Sequence, residues 1–211
     1  YRKAFEFAGA SSAKFAYGIG VTCEYQGKYG EAIEFLEKAK ALVEKEKDAK
    51  SEDLLINILY DMADSHLRAF VGAQQAADAD YHYDRARKVF GEYLSKNQKF
   101  DTWAHYNLAC LDASRASSKD LTPAKQDSLA GSAAESLKTA LKKLGTDASS
   151  ARSGAHYRVR LMRQTLLESS DILRDASDPI RCEALRGVLE MRRPEDWKEV
   201  KSLASQLPDS I

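Results

Sequence analysis

Four short stretches set the reading of this chain: Ala16-Tyr17-Gly18-Ile19-Gly20, Leu59-Tyr60-Asp61-Met62-Ala63, His105-Tyr106-Asn107-Leu108-Ala109 and, more loosely, His156-Tyr157-Arg158-Val159-Arg160. Each places a tyrosine two residues before an apolar residue, and in the first three a small residue follows at once. Self-similarity at intervals of roughly 40–50 residues marks a helical repeat array. Such arrays bury a core between neighbouring units and leave an extended face that usually binds and rarely catalyses.

The rest of the chain agrees with an all-α reading. Ala, Leu, Lys and Glu dominate, β-branched runs are absent, and prolines number only four. Pro123, Pro179 and Pro194 each sit where a helix can begin, at the first-turn position that tolerates a missing N–H. Thr122 and Asp178 precede two of them as N-caps. Glu195 and Asp196 place negative charge at the positive end of the last helix. Gly145 follows Ala140-Leu141-Lys142-Lys143-Leu144 and reads as the glycine that closes a helix. Breaks are expected near 26–28, 48–51, 76–80, 96–101, 117–122, 145–150, 177–178 and 193. The charge run 44–50 reads as a solvated helix end or loop.

At 211 residues the chain is long enough for one helical-repeat domain with a real core. Repeat-like units are expected at about 13–50, 51–100 and 101–145, with C-terminal helices over 151–207. Basic and acidic residues balance at 32 each, which argues against a dedicated nucleic-acid binder and against an acidic disordered tail. No apolar run approaches the ~20 residues needed to span a bilayer, so no membrane insertion is expected. The start Tyr1-Arg2-Lys3-Ala4 has neither an initiator Met nor the apolar core of a signal peptide. The expectation is a segment of a longer protein. Cys23, Cys110 and Cys182 are odd in number and widely spaced, unlike a disulfide framework or a CxxC metal motif. Free core thiols in a reducing, intracellular and cytoplasmic setting are expected.

The segment 13–42 resembles a tetratricopeptide repeat (TPR). It carries Ile19-Gly20, then Gln26-Gly27-Lys28-Tyr29, then Glu31-Ala32-Ile33, Leu36, Ala39 and Leu42. That family pattern pairs a large apolar and a small residue on the first helix, a turn with glycine and an aromatic, and Ala-x3-aromatic on the second. Gly20, Ala32 and Ala39 are small enough to let two helices approach closely. Tyr29 and Leu36 can fill the space between pairs. Two further units resemble expanded versions. One has Met62-Ala63 with Tyr83, Ala86, Phe90 and Tyr93; the other has Leu108-Ala109 with Ala133, Leu137 and Ala140. Both hold roughly a dozen extra residues, so longer helices or longer loops are expected. Arg160 falls where a small residue belongs, so the fourth unit is either shifted in register or a closing helix. The resemblance implies an α-solenoid of antiparallel helix pairs with C-terminal capping helices.

In TPR proteins the first helices line a concave groove. By that resemblance Tyr17, Tyr60, Tyr106 and Tyr157 form a ladder along it, joined by Asp64, Arg68, Trp103 and Asn107. Tyrosine suits such a surface because it offers a large area, few torsions to freeze and one polar tip. The alternative is that these tyrosines pack between repeats. Chaperone-binding members clamp a C-terminal carboxylate with Lys and Asn on these helices. Tyrosines occupy the matching sites here and Val21 replaces the asparagine, which argues against such a clamp. A protein or peptide partner held by side-chain contacts is expected instead.

Arg152, His156, Arg160 and Arg163 follow spacings of four, four and three and fall on one helical face within about 80°. This stripe suits an anionic or acidic partner. Its alternative is a solvated face paired with Glu168, Asp171 or Asp175. It lacks the interleaved aromatics of a nucleic-acid binder. No phosphate-binding loop, serine elbow or metal-ligand spacing is present, and the four histidines are scattered. No enzymatic activity, metal or cofactor is therefore expected. The expected function is a scaffold or adaptor. A structural or self-associating subunit of a larger assembly and a peptide- or small-ligand-sensing regulatory domain are the other readings, and the oligomeric state stays open.

Overall fold

The computed structural model describes residues 12–46, 49–96, 101–148 and 179–207. Every regular element among them is a helix: α1 (Ala13–Tyr25), α2 (Tyr29–Val43), α3 (Ala49–Gly72), α4 (Ala76–Lys96), α5 (Thr102–Ala116), α6 (Pro123–Ala148), α7 (Pro179–Arg192) and α8 (Pro194–Ser205). The chain divides into two compact units, Tyr1–Lys99 and Phe100–Ile211.

In the first unit, α1 packs on α2, α2 on α3, and α3 on α4, with a smaller contact between α1 and α3. The three-residue turn 26–28 forces α1 and α2 antiparallel. Gly27 takes φ 72°, the left-handed conformation glycine adopts at no steric cost. The turn is closed by the Lys28 N–H donating to Cys23 O at 2.9 Å. The buried residues Ala13, Ala16, Ile19, Gly20 and Cys23 fall at helical spacing and meet Ala32, Ile33, Leu36, Ala39 and Val43 of α2. Gly20 is the point of closest approach: a Cβ there would lie 2.7 Å from Leu36 Cγ. The α3–α4 pair repeats the arrangement with larger residues. Ile58, Leu59, Met62, Ala63, Leu67 and Phe70 oppose Tyr83, Ala86, Val89, Phe90 and Tyr93, all buried.

In the second unit α5 packs extensively on α6 and also on α7, and α8 closes against α6 and α7. Helix covers α5 on more than one side, so most of it is buried, from Ala104 through Ala109 and Cys110 to Ala116. Leu129, Ala133, Leu137, Ala140 and Leu144 form the buried stripe of α6. Lys138 anchors α8 to it. Its Nζ, on a side chain 8% exposed, reaches Asp196 at 2.6 Å, Glu199 at 2.8 Å and Glu135 at 3.1 Å. Trp197 Nε1 donates to Glu190 Oε1 at 3.0 Å and ties α8 to α7.

Several sequence expectations meet their outcome here. The extra residues of the second and third pairs are helical: α3 has 24 residues, α4 has 21 and α6 has 26. Pro123, Pro179 and Pro194 each begin a helix. The Thr122 hydroxyl accepts from the Lys125 N–H at 3.4 Å, while Asp178 lies outside the described residues. Gly145 does not end its helix. α6 runs on to Ala148 because Leu141 and Leu144 are buried and hold this turn, and a Cβ at 145 would touch Leu207. The break expected over 76–80 falls three residues earlier, and α4 begins at Ala76. Cys23 and Cys110 are buried thiols outside any disulfide. No helix among the described residues is long and apolar enough to cross a membrane.

Candidate functional site

The first helices of the two pairs in unit 1 meet through polar side chains. On α1 Tyr17, Val21 and Glu24 are spaced four and three apart; on α3 Asn57, Asp61, Asp64 and Arg68 are spaced four, three and four. Each set therefore shares one helical face. The Tyr17 hydroxyl donates to Asp61 Oδ2 at 2.7 Å, across the gap between the pairs. Arg68 Nε donates to Asp64 Oδ2 at 2.5 Å and stands 3.9 Å from Glu24 Oε1.

Three carboxyl groups, Glu24, Asp61 and Asp64, lie around the Arg68 guanidinium. Burial pushes the Glu24 carboxyl up to about 8, and the neighbouring Asp64 and Asp61 carboxylates add to the shift. Hydrogen bonding with Asp64 adds to the rise, so Glu24 favours its protonated form at neutral pH. Burial raises Asp61 too, followed by repulsion from Asp64, while the hydrogen bond from Tyr17 opposes the rise. Burial and the Asp61 carboxylate push the Tyr17 phenol well above its usual range, so it stays a donor.

This face is the tight side of the stack. On the opposite side α2 and α4 are bridged by long side chains, Arg85 to Glu37 at 2.7 Å and Lys40 to Glu92 at 3.3 Å. A cleft of about 250 Å³ opens there, lined by these four residues with Glu44 and Lys88 among others. Its acids and bases match in number, so it selects no sign of charge.

The predicted site residues part company. Tyr17, Asp64 and Arg68 come together, with Asp61 and Glu24 as members that sequence reasoning passed over. The signal for both lay in helical spacing: Glu24 is seven residues from Tyr17, and Asp61 is three from Asp64. Tyr60 is turned into the α3–α4 interface, 5.4 Å from the Tyr93 ring and 6.4 Å from Phe90. Trp103, Tyr106 and Asn107 belong to the second unit. Tyr106 and Asn107 are only 6% and 5% exposed, and Trp103 packs edge-on to Tyr106 at 5.6 Å. Tyr157 and the stripe Arg152, His156, Arg160 and Arg163 lie outside the described residues. No family model, curated protein or solved structure matches the chain.

Proposed function

We propose that this chain is a protein-interaction module built from TPR-like helix pairs, and that it takes a peptide or helix of a partner protein on the first-helix face of unit 1. The carrying observation is the half-buried polar row of Tyr17, Glu24, Asp61 and Arg68, with Asp64 behind it. A helix interface maintained for stability alone is better served by apolar residues, because burying carboxylates costs several kcal/mol per ion before pairing. Charged and phenolic side chains gathered on one helix face are what a partner's backbone and side chains can meet. The scaffold or adaptor reading follows from this face and from the absence of any recognised catalytic motif in the sequence. A few anchors should dominate the binding energy.

The experiment is chemical cross-linking of the chain in a lysate, with wild type beside Asp61→Asn and Arg68→Glu variants of verified helicity. The expected result is a partner captured by wild type and weakened by about 2 kcal/mol or more in the variants. A partner retained equally by both variants moves the interface off this face. Cross-links to further copies of the chain alone replace the adaptor reading with a self-associating one.

A further inference from the structure

The cleft between α2 and α4 balances its charges in total but not in place. Met62 of α3 and Val89 of α4, both buried, give it an apolar floor, with Ala41 of α2 beside them. At one end Arg85 and Lys88 stand with a single acid, Glu37, which Arg85 takes at 2.7 Å. Lys88 is exposed and has no hydrogen-bond or ion-pair partner among the described residues. At the other end Glu44 and Glu92 share a single base: Lys40 Nζ lies 2.6 Å from Glu44 and 3.3 Å from Glu92. One end therefore holds a spare positive charge and the other a spare negative charge. Lys88 and Glu92 are four residues apart on α4, a spacing at which the two side chains can pair. Here Lys40 takes Glu92 instead, and the two surpluses stay separate.

We propose that this cleft binds a short free peptide of two or three residues, with its terminal carboxylate at Lys88 and Arg85 and its terminal ammonium at Glu44 and Glu92. The size agrees. A volume of about 250 Å³ falls below the ~300–1,000 Å³ of pockets for drug-sized ligands and suits a smaller molecule. The rise along α4 is about 6 Å from Lys88 to Glu92 and about 10 Å from Arg85 to Glu92. An extended chain advances about 3.3–3.6 Å per residue, so two residues span ~7 Å and three span ~10 Å. A single amino acid carries both charges on one carbon and cannot reach both ends.

The chemistry agrees as well. A carboxylate gives Lys88 the acceptor it lacks, and an ammonium gives three donors to two carboxylates that have one cation between them. Small aliphatic side chains can cover the floor of Met62 and Val89. A molecule with one sign of charge meets one matching end and one repelling end, so the arrangement discriminates against it. This site lies on the second-helix side of unit 1 and does not depend on the reading of the first-helix face.

The test is isothermal titration calorimetry of the purified chain with trialanine at pH 7. The N-acetylated and C-amidated forms, each lacking one terminal charge, and free alanine are titrated beside it. Trialanine is expected to bind once per chain with a Kd of about 0.1–1 mM, the value that ordinary ligand efficiency gives a molecule of this size. Each blocked form is expected to bind about threefold to tenfold more weakly, and free alanine more weakly still. Lys88→Gln alters an exposed side chain without a partner among the described residues, so the fold is preserved. It is expected to abolish the difference between trialanine and its amide, while Glu44→Gln reduces the difference from the acetylated form. A Kd weaker than about 10 mM, a blocked form that binds as tightly as trialanine, or a carboxylate preference kept in Lys88→Gln overturns the proposal.

Discussion

Replacing Gly20 with alanine tests the helix pairing at its closest point. The added Cβ would lie 2.7 Å from Leu36 Cγ, 2.9 Å from Leu36 Cδ2 and 3.3 Å from the Ala32 carbonyl oxygen. Leu36 is fully buried, and Cγ is the branch point of its side chain rather than a free end. It cannot swing aside without moving α2 or taking a poor rotamer. Overpacking of this kind costs about 1–3 kcal/mol. Alanine returns about 1 kcal/mol through its higher helix propensity. The net expectation is a loss of up to about 2 kcal/mol. Gly91 supplies the control: it lies in the middle of α4, exposed, and a Cβ there would meet nothing within 4 Å. Gly91→Ala is expected to gain about 0.5–1 kcal/mol. The same chemical change therefore carries opposite signs at the two sites. Urea unfolding followed by far-UV circular dichroism reads the midpoints at constant m-value. Hydrogen exchange over 13–43 locates the loss to the first pair. A Gly20→Ala midpoint above wild type refutes the packing argument.

Two further outcomes follow from buried charge. His66 titrates at about 3 when folded against 6.5 when unfolded, so the unfolded chain binds more protons between these values and stability falls as pH drops through that window. Glu24 titrates at about 8 against 4.5, so the folded chain binds more protons there and stability falls as pH rises from 4.5 to 8. Asp61, also raised, adds to that limb. Each group acts at up to about 1.4 kcal/mol per pH unit, and the two oppose each other between about pH 4.5 and 6.5, where hydrogen-exchange protection in unit 1, relative to the intrinsic rate at each pH, should be greatest. Glu24→Gln is expected to flatten the alkaline side, and an unchanged profile counts against the proton held there. In unit 2, Lys138→Ala removes the cation that Asp196, Glu199 and Glu135 share. Glu199 and Glu135 are largely solvated, so the loss is expected at about 1–3 kcal/mol, below that of a fully buried pair. Trp197 fluorescence would report the loosening of α8, and an unshifted denaturant midpoint would show the ion cluster to be ornamental.

The fold was legible where the sequence repeats its sterics. Gly20, Ala32, Leu36 and Ala39 announce a close helix pair, and each is buried as that pairing requires. Legibility failed where tertiary packing overrides a local signal. Gly145 reads as a helix end, yet two buried leucines carry the helix through it. The opening of α4 is alanine-rich but largely exposed, so no apolar stripe marked its start. The candidate site was legible only in part for a different reason. Tyr17, Tyr60 and Tyr106 occupy the same place in their stretches, but each goes where its neighbours allow. Tyr17 finds a carboxylate across the gap at Asp61. Tyr60 has Phe90 and Tyr93 on the opposing helix and packs edge-on to the first and tilted against the second. Tyr106 is enclosed within unit 2. A repeated residue fixes a position on a helix, and the residue facing it decides what that position does.

The same contrast bears on the proposed binding face. The first pair joins α1 to α2 through small apolar residues, and the second joins α3 to α4 through larger, mostly apolar ones, with His66 and His82 facing each other between them. The polar investment of unit 1 lies instead between pairs, on the first-helix side, where Tyr17, Glu24, Asp61, Asp64 and Arg68 meet. Stacking the pairs does not need this chemistry, because α2 already bridges to α3 by direct packing. A face that gathers three carboxyl groups near Arg68, with Glu24 raised so that it favours its protonated form at neutral pH, stands to gain from a partner's positive charge. A partner side chain that brought a positive charge to Glu24 would release that proton, and its affinity would rise with pH as stability of the free unit falls.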